Sequence, residues 1–229
     1  MDAISSFIDL LFGETGRKSK STKEVIEDIE RAKRIYAPPP VKVSKPLMIR
    51  SKQDWTDYLK KLSRLNDLDK FAEKNSDDFR WFVKSLEKVK KDISRMTPTE
   101  FDEYTTETVV TATVSMSKKF IAALDSCGRT IENPLKDSTA AKELYNLIEN
   151  YLLGIGIHSM DFKVGGDFDK WADLELSEAP IIEGTSDKRK HNTLKAIYVQ
   201  PHYIEFINEH DKKERRVFGG QCAAYAFRG

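Results

Sequence analysis

Residues 154–171 read GIGIHSMDFKVGGDFDKW. A histidine, three aspartates and four glycines crowd into this stretch. Three readings compete for it: a metal site, an acid/base pair, or the structured joint between two parts of a binding protein. Its place in the chain decides the fold, because the hydrophobic period changes across it.

Upstream the period is helical. From Gln53 to Met96 apolar residues step by three and four: Trp55, Tyr58, Leu62 and Leu65, then, after the polar break EKNSDD, Phe79, Phe82, Leu86, Val89, Ile93 and Met96. So narrow a seam fits helices that pack pairwise, either as antiparallel bundle helices or as an intermolecular coiled coil. Thr97-Pro-Thr-Glu100 carries a helix start: Thr97 can cap, Pro98 loses nothing in the first turn, and Glu100 can complete a capping box. A long helix is expected from there to about Glu132, stopped by Asn133-Pro134, with the β-branched threonines of 105–113 weakening its middle. A further helix over about Ser138–Leu153 turns Leu144, Leu147, Ile148, Tyr151 and Leu152 inward and puts Gly154 in the C-terminal capping position.

Downstream the runs shorten. IHSMDFKV, TLKAIYVQ, HYIEFIN and AAYAF are β-branched or aromatic and are separated by Gly, Pro and charged turns, with Asn208-Glu-His-Asp-Lys-Lys as a hairpin tip. The expected class is α+β: an elongated helical coiled-coil or bundle region (51–153), then a small C-terminal antiparallel β domain (154–229). Residues 1–50 hold a short amphipathic helix (Ile4, Phe7, Ile8, Leu11, Phe12), a second helical pattern near 22–36 and the proline-rich linker APPPVKVSKP, partly flexible. The first of these is either a helix docked on its own domain or a partner-binding peptide.

The totals narrow the function. Of 229 residues, 33% are charged and 39% hydrophobic, a solvated balance that suits exposed helices better than a large enzyme core. Thirty-eight basic against 37 acidic side chains leave a formal net charge of +1, which gives no field to hold a nucleic acid or a membrane surface. Cys127 and Cys222 read as reduced, buried small hydrophobes. No apolar stretch approaches a bilayer span and the first residues are acidic, so the expected location is the cytoplasm.

No catalytic constellation stands out. Asp167 and Asp169, with Asp173 and His158, are the best enzymatic candidates, since hard cations take carboxylate oxygens. Their spacing is not a calcium loop, and loop aspartates capping turns beside a buried Phe168 is the simpler account. Histidines 158, 191, 202 and 210 follow no metal-ligand spacing. Gly219-Gly220 lacks the lysine and helix of a phosphate loop. Cys222 sits in an apolar strand without a basic neighbour, and Lys188-Arg-Lys190 is a solvated loop run. No metal and no cofactor are expected.

The order of parts resembles the GrpE family of nucleotide exchange factors for DnaK-type chaperones. FIAALDSCGRTIEN at 120–133 is similar to the family's helix motif through Leu124, Asp125, Arg129 and Ile131. LYNLIENYLLGIGI resembles its second bundle helix, and Gly165-Gly-Asp-Phe168-Asp169 resembles the G-x-x-F-D motif at the entrance to its β domain. In HNTLKAIYVQPHYIEF, Tyr203 keeps the tyrosine of a glycine-tyrosine pair while His202 replaces the glycine. Departures exist: Lys170 stands where the family has proline, and the last strand matches only roughly. The resemblance covers about residues 100–229.

It implies a homodimer formed through the helices and a β module that opens the nucleotide cleft of a DnaK-type or related actin-like ATPase, releasing ADP without chemistry of its own. Arg129 would contact the ATPase or pair with Asp125 on its own helix. Phe168 and Asp169 would fix the joint between helix and sheet, and the surface near Tyr203 would face the partner. The rivals are a non-enzymatic oligomeric scaffold or adaptor, and a metal-dependent enzyme built on Asp167 and Asp169.

Overall fold

Thr106–Ile131, a helix of 26 residues, is the element around which the rest is arranged. The computed structural model describes residues 45–97, 105–133, 135–174, 176 and 179–228. The expected helices of 1–36, most of the proline-rich linker, and the expected start at Pro98–Glu100 lie outside them. The described elements are α1 (Lys52–Leu62), α2 (Asn66–Lys74), α3 (Arg80–Arg95), α4 (Thr106–Ile131), α5 (Thr139–Gly154), β1 (Ile157–Ser159), α6 (Asp169–Ala172), β2 (Ile181–Thr185), β3 (Leu194–Ile207) and β4 (Lys213–Phe227). The class is α+β.

Local chemistry explains the helix ends. Ser51 caps α1, its Oγ accepting from Asp54 N at 3.1 Å while the Asp54 carboxylate accepts from Arg50 N at 3.0 Å. This is a capping box with its reciprocal bond shifted one residue outward. Helix α4 is described only from Thr106, capped by Thr105, whose Oγ1 accepts from Thr108 N at 3.2 Å. The threonines expected to weaken this region are put to use. Thr106 Oγ1 accepts from Ile49 N (3.0 Å) and donates to Ile49 O (3.2 Å), and Thr111 accepts from Arg216 at 2.6 Å. At the end of α5 the cap lies beyond the glycine expected: Gly154 is still helical, Ile155 is the cap residue, and Gly156, at φ +89°, takes the left-handed conformation just after it.

The heptad seam is buried within the chain. Trp55, Tyr58, Leu62, Leu65, Phe82, Leu86, Val89 and Ile93 join one core with Val110, Phe120, Leu124, Leu144 and Ile148 of α4 and α5. Two tyrosines fasten α1 to α5: Tyr58 donates to Ile155 O at 3.1 Å and Tyr151 to Leu62 O at 2.6 Å. Val199, Ile204, Phe206 and Phe218 of the sheet enter the same core. Residues 51–153 and 154–229, read from the sequence as a helical part and a β part, therefore lie in one compact unit, Ser44–Gly229.

The sheet runs in the order β1-β3-β4-β2. Strands β1/β3 and β3/β4 are antiparallel, but β2 pairs parallel with β4, Ile181 opposite Ala223. The sheet is mixed, which corrects the antiparallel expectation. β2 returns beside the last strand rather than forming a hairpin with a neighbour in sequence, and no short-range signal encodes such a pairing. The expected break at Pro201 is absent too. Pro201 stands opposite Gly219 in the ladder, where Gly219 and Gly220 adopt φ of +69° and +87°, so the irregular geometry falls on glycines that tolerate it.

Candidate functional site

The four candidate residues fall at three places. Arg129, on α4, donates through Nε and Nη2 to Asp125 at 3.1 and 2.5 Å, and its Nη2 reaches Gln221 Oε1 of β4 at 3.4 Å. Of the two partners expected for it, an i,i+4 carboxylate or an ATPase, the first is present, and the side chain stays 62% exposed. Helix α4 also lies close to β3 here, since a Cβ on Gly128 would come 3.0 Å from Tyr198 O.

Phe168 and Asp169 hold the 160–174 segment to the start of β3. Gly165, at φ +81°, donates to Leu194 O at 2.7 Å, and Phe168 N donates to Asn192 O at 2.9 Å. Asp167 Oδ1 accepts from Asp169 N at 3.0 Å, and Asp169 Oδ1 accepts from Asn192 Nδ2 at 3.1 Å. Each aspartate thus caps a turn or ties a loop. The Phe168 ring packs with Phe162, Leu176 and Ile197 around a small second core of Trp171, Leu194 and Cys222. His158 stands apart on β1, and no cluster of three or more His, Cys, Asp or Glu able to hold a metal ion exists among the described residues.

Tyr203 occupies the third place. His202, Ile204 and Phe206 are buried toward the helices, so strand alternation turns Tyr203 and Glu205 to the opposite face. The Tyr203 ring stacks on the imidazole of His158, its cross-strand partner, at 5.3 Å and 25°. On its other side the Arg215 guanidinium lies 4.3 Å from the ring centroid, a cation–π contact. Glu205 receives Lys213 at 2.7 Å and Arg215 at 2.9 Å. Those two cations hold its carboxyl below the usual range, while desolvation, opposed by Glu205 and reinforced by Arg215, lowers the pKa of His158.

The sequence points to Tyr203 but not to this setting. It is singled out there only by the resemblance, as the tyrosine of a glycine-tyrosine pair; the alternation HYIEFI marks a strand in which residues 203, 205 and 207 share one face, and finding Arg215 and Lys213 needs the hairpin register.

Behind the sheet, His202 is fully buried, its Nε2 3.2 Å from Glu149 Oε1 of α5. The His202 imidazole therefore joins the sheet to α5. Burial drives the Cys127 thiol up to about 12 and that of Cys222 up to about 11, so both remain protonated and poorly nucleophilic at neutral pH. A cavity of about 240 Å³ lies where α1 and α2 meet the end of α5, lined by Lys61, Arg64, Asp67, Leu68, Leu147 and Tyr151 among others. Its two cations suit the C-terminal end of the α5 dipole, and the Tyr151 hydroxyl is already committed to Leu62 O. Comparison with protein-family models, with curated proteins and with solved structures finds no match. No helix among the described residues is long and apolar enough to cross a membrane.

Proposed function

We propose that the chain is a nucleotide exchange factor that promotes ADP release from a DnaK-type or related actin-like ATPase, with the sheet face around Tyr203 as its contact surface. The observation that carries the reading is the His158–Tyr203–Arg215 stack, joined through Arg215 to Glu205 and Lys213. Tyrosine and arginine, with tryptophan, are enriched at the energetic centre of protein interfaces, where they offer large contact area and directed polar groups. Here both are oriented before any partner arrives, which lowers the cost of association. The collinear motifs from Leu124 to Tyr203 supply the class of partner.

The mechanism is a population shift. A factor that binds the open cleft of an ATPase more tightly than the closed one draws it open, and each tenfold of preference corresponds to about 1.4 kcal/mol. Such action needs a stiff body behind the contact face. Ile204, Phe206 and Phe218 supply it by burying the sheet against the helices, and Arg216 adds bonds to Thr111 and Glu107 at 2.6 and 3.0 Å. Arg129 sits on the helix that covers the inner face, so a partner touching both Arg129 and Tyr203 has to wrap around the sheet. The homodimer that completes this reading has to form through outward surfaces or through residues outside those described, because the heptad seam is consumed internally. Cytoplasmic placement belongs to the same proposal.

The test is binding of the purified chain to a DnaK-type ATPase in its ADP state, by titration calorimetry, for the parent and for Tyr203→Ala and Arg215→Ala. Saturable binding that each substitution weakens about tenfold or more supports the reading. No binding, or binding indifferent to both changes, removes it.

A further inference from the structure

The edge of the sheet formed by β2 has no neighbour among the described residues. Arg228 N donates to Thr185 O at 3.0 Å, so the polar groups of Thr185 face β4. Alternation turns the backbone groups of Glu183 and Ile181 the same way, and directs the N–H and C=O of Ile182 and Gly184 outward. Natural edges are usually blunted by lysine, proline or a bulge. Within the five residues Ile181–Thr185 there is no lysine, proline or bulge, the one charge, Glu183, is paired with Lys195, and Ile181 and Ile182 are 49% and 47% exposed.

Charge is uneven along this edge. Among the described residues the acids beside this edge are occupied: Glu183 by Lys195 at 2.5 Å and Asp187 by Arg189 at 3.3 Å. Lys188, Lys190 and Arg228, all exposed at the C-terminal end of the strand, have no carboxylate partner among the described residues. The Arg228 stem lies across Gly184, its Cδ 2.6 Å from where a Cβ would be, which holds that cation beside the open edge.

We infer that the free edge of β2 takes up an extended acidic peptide segment as a fifth strand. Its backbone pairs with the outward groups of Ile182 and Gly184, its apolar side chains, all on one face of the added strand, meet one of the two isoleucines, which point to opposite faces of β2, and its carboxylates meet the cations Lys188, Lys190 and Arg228 at the strand's end. This surface is separate from the one around Tyr203 and does not depend on the ATPase reading.

The experiment is an amide NMR titration of the isotope-labelled full chain with two terminally blocked heptapeptides, one alternating glutamate and valine, the other lysine and valine. The expected result is saturable binding of the glutamate peptide, at least tenfold tighter than the lysine peptide, with the largest shifts at Ile182 and Gly184. Ile182→Pro, which removes an outward N–H that the ladder to β4 does not use, abolishes it. The exposed double substitution Lys188→Glu with Arg228→Glu reverses the peptide preference and serves if the proline variant fails to fold. Equal affinity for both peptides, shifts elsewhere in the molecule, or binding unaffected by charge reversal overturns the inference. Concentration-dependent self-association through Ile182 overturns it too, in favour of a second copy as occupant.

Discussion

Placing the same methyl group on Gly220 and on Gly154 is expected to move stability in opposite directions. Gly220 has φ +87°, and a Cβ built there lies 2.9 Å from Leu176 Cδ1 and 3.2 Å from the Cα and Cβ of Pro201. The end of a leucine can swing aside. The Pro201 main chain is held, because its carbonyl accepts from Met160 N at 2.8 Å on one flank and β4 pairs with it on the other. A residue with a Cβ loses about 1–2 kcal/mol in the left-handed region, and overpacking against held backbone adds about 1–3 kcal/mol, so Gly220→Ala should cost about 2–5 kcal/mol. At Gly154, the last residue of α5, an added methyl group would meet nothing within 4 Å. Alanine there restricts the unfolded chain and favours helix, a gain of about 0.4–1 kcal/mol. Urea unfolding followed by tryptophan fluorescence reads both, since Trp55 and Trp171 are buried. A Gly220→Ala protein within about 0.5 kcal/mol of the parent, or a loss at Gly154 as large as that at Gly220, refutes the account of this joint.

Ser117 Oγ is fully buried on α4 without a hydrogen-bond partner among the described residues; Ser117→Ala should stabilise by up to about 1 kcal/mol, and destabilisation beyond that in the same urea assay contradicts the packing described. His158 should titrate below its ordinary value of 6.5 in a histidine NMR titration because desolvation disfavours its cation. With the folded pKa depressed, its contribution to stability is complete above pH 6.5 and is lost as pH falls through the folded value; the parent should therefore lose more stability than His158→Phe over that window, and the reverse order contradicts it. Cys127 and Cys222, buried and protonated, should react with a thiol reagent only at the rate of unfolding, and rapid labelling of either in the native protein contradicts their placement.

What is legible in the sequence is what depends on local period and local caps. The three-four spacing from Trp55 to Ile93 locates the helical core, the stop at Asn133-Pro134 matches the end of α4 at Ile131, and Asn208–Lys212 closes a turn in which Asp211 takes φ +57°. The aspartates of GGDFD are turn residues because each finds a partner two residues away or in the turn that leads into β3. Pairings remote in sequence are hidden. The strand Ile181–Thr185 is not among the runs read as strands, and nothing near it announces a parallel partner some forty residues later. The seam of α1 to α3 reads equally well for an internal or an external partner. Its burial is decided by α4, whose apolar residues face more than one side and show no narrow stripe. The cationic and aromatic setting of Tyr203 likewise depends on the β3/β4 register, which places Glu205 opposite Arg215.

The central claim is that this sheet face changes a neighbour's conformation. The most direct measurement is stopped-flow release of a fluorescent ADP analogue from a DnaK-type ATPase mixed with the full chain. The account predicts a release rate that rises and saturates with added protein, and that returns toward the intrinsic rate with Tyr203→Ala. An unchanged rate at concentrations that saturate binding contradicts it.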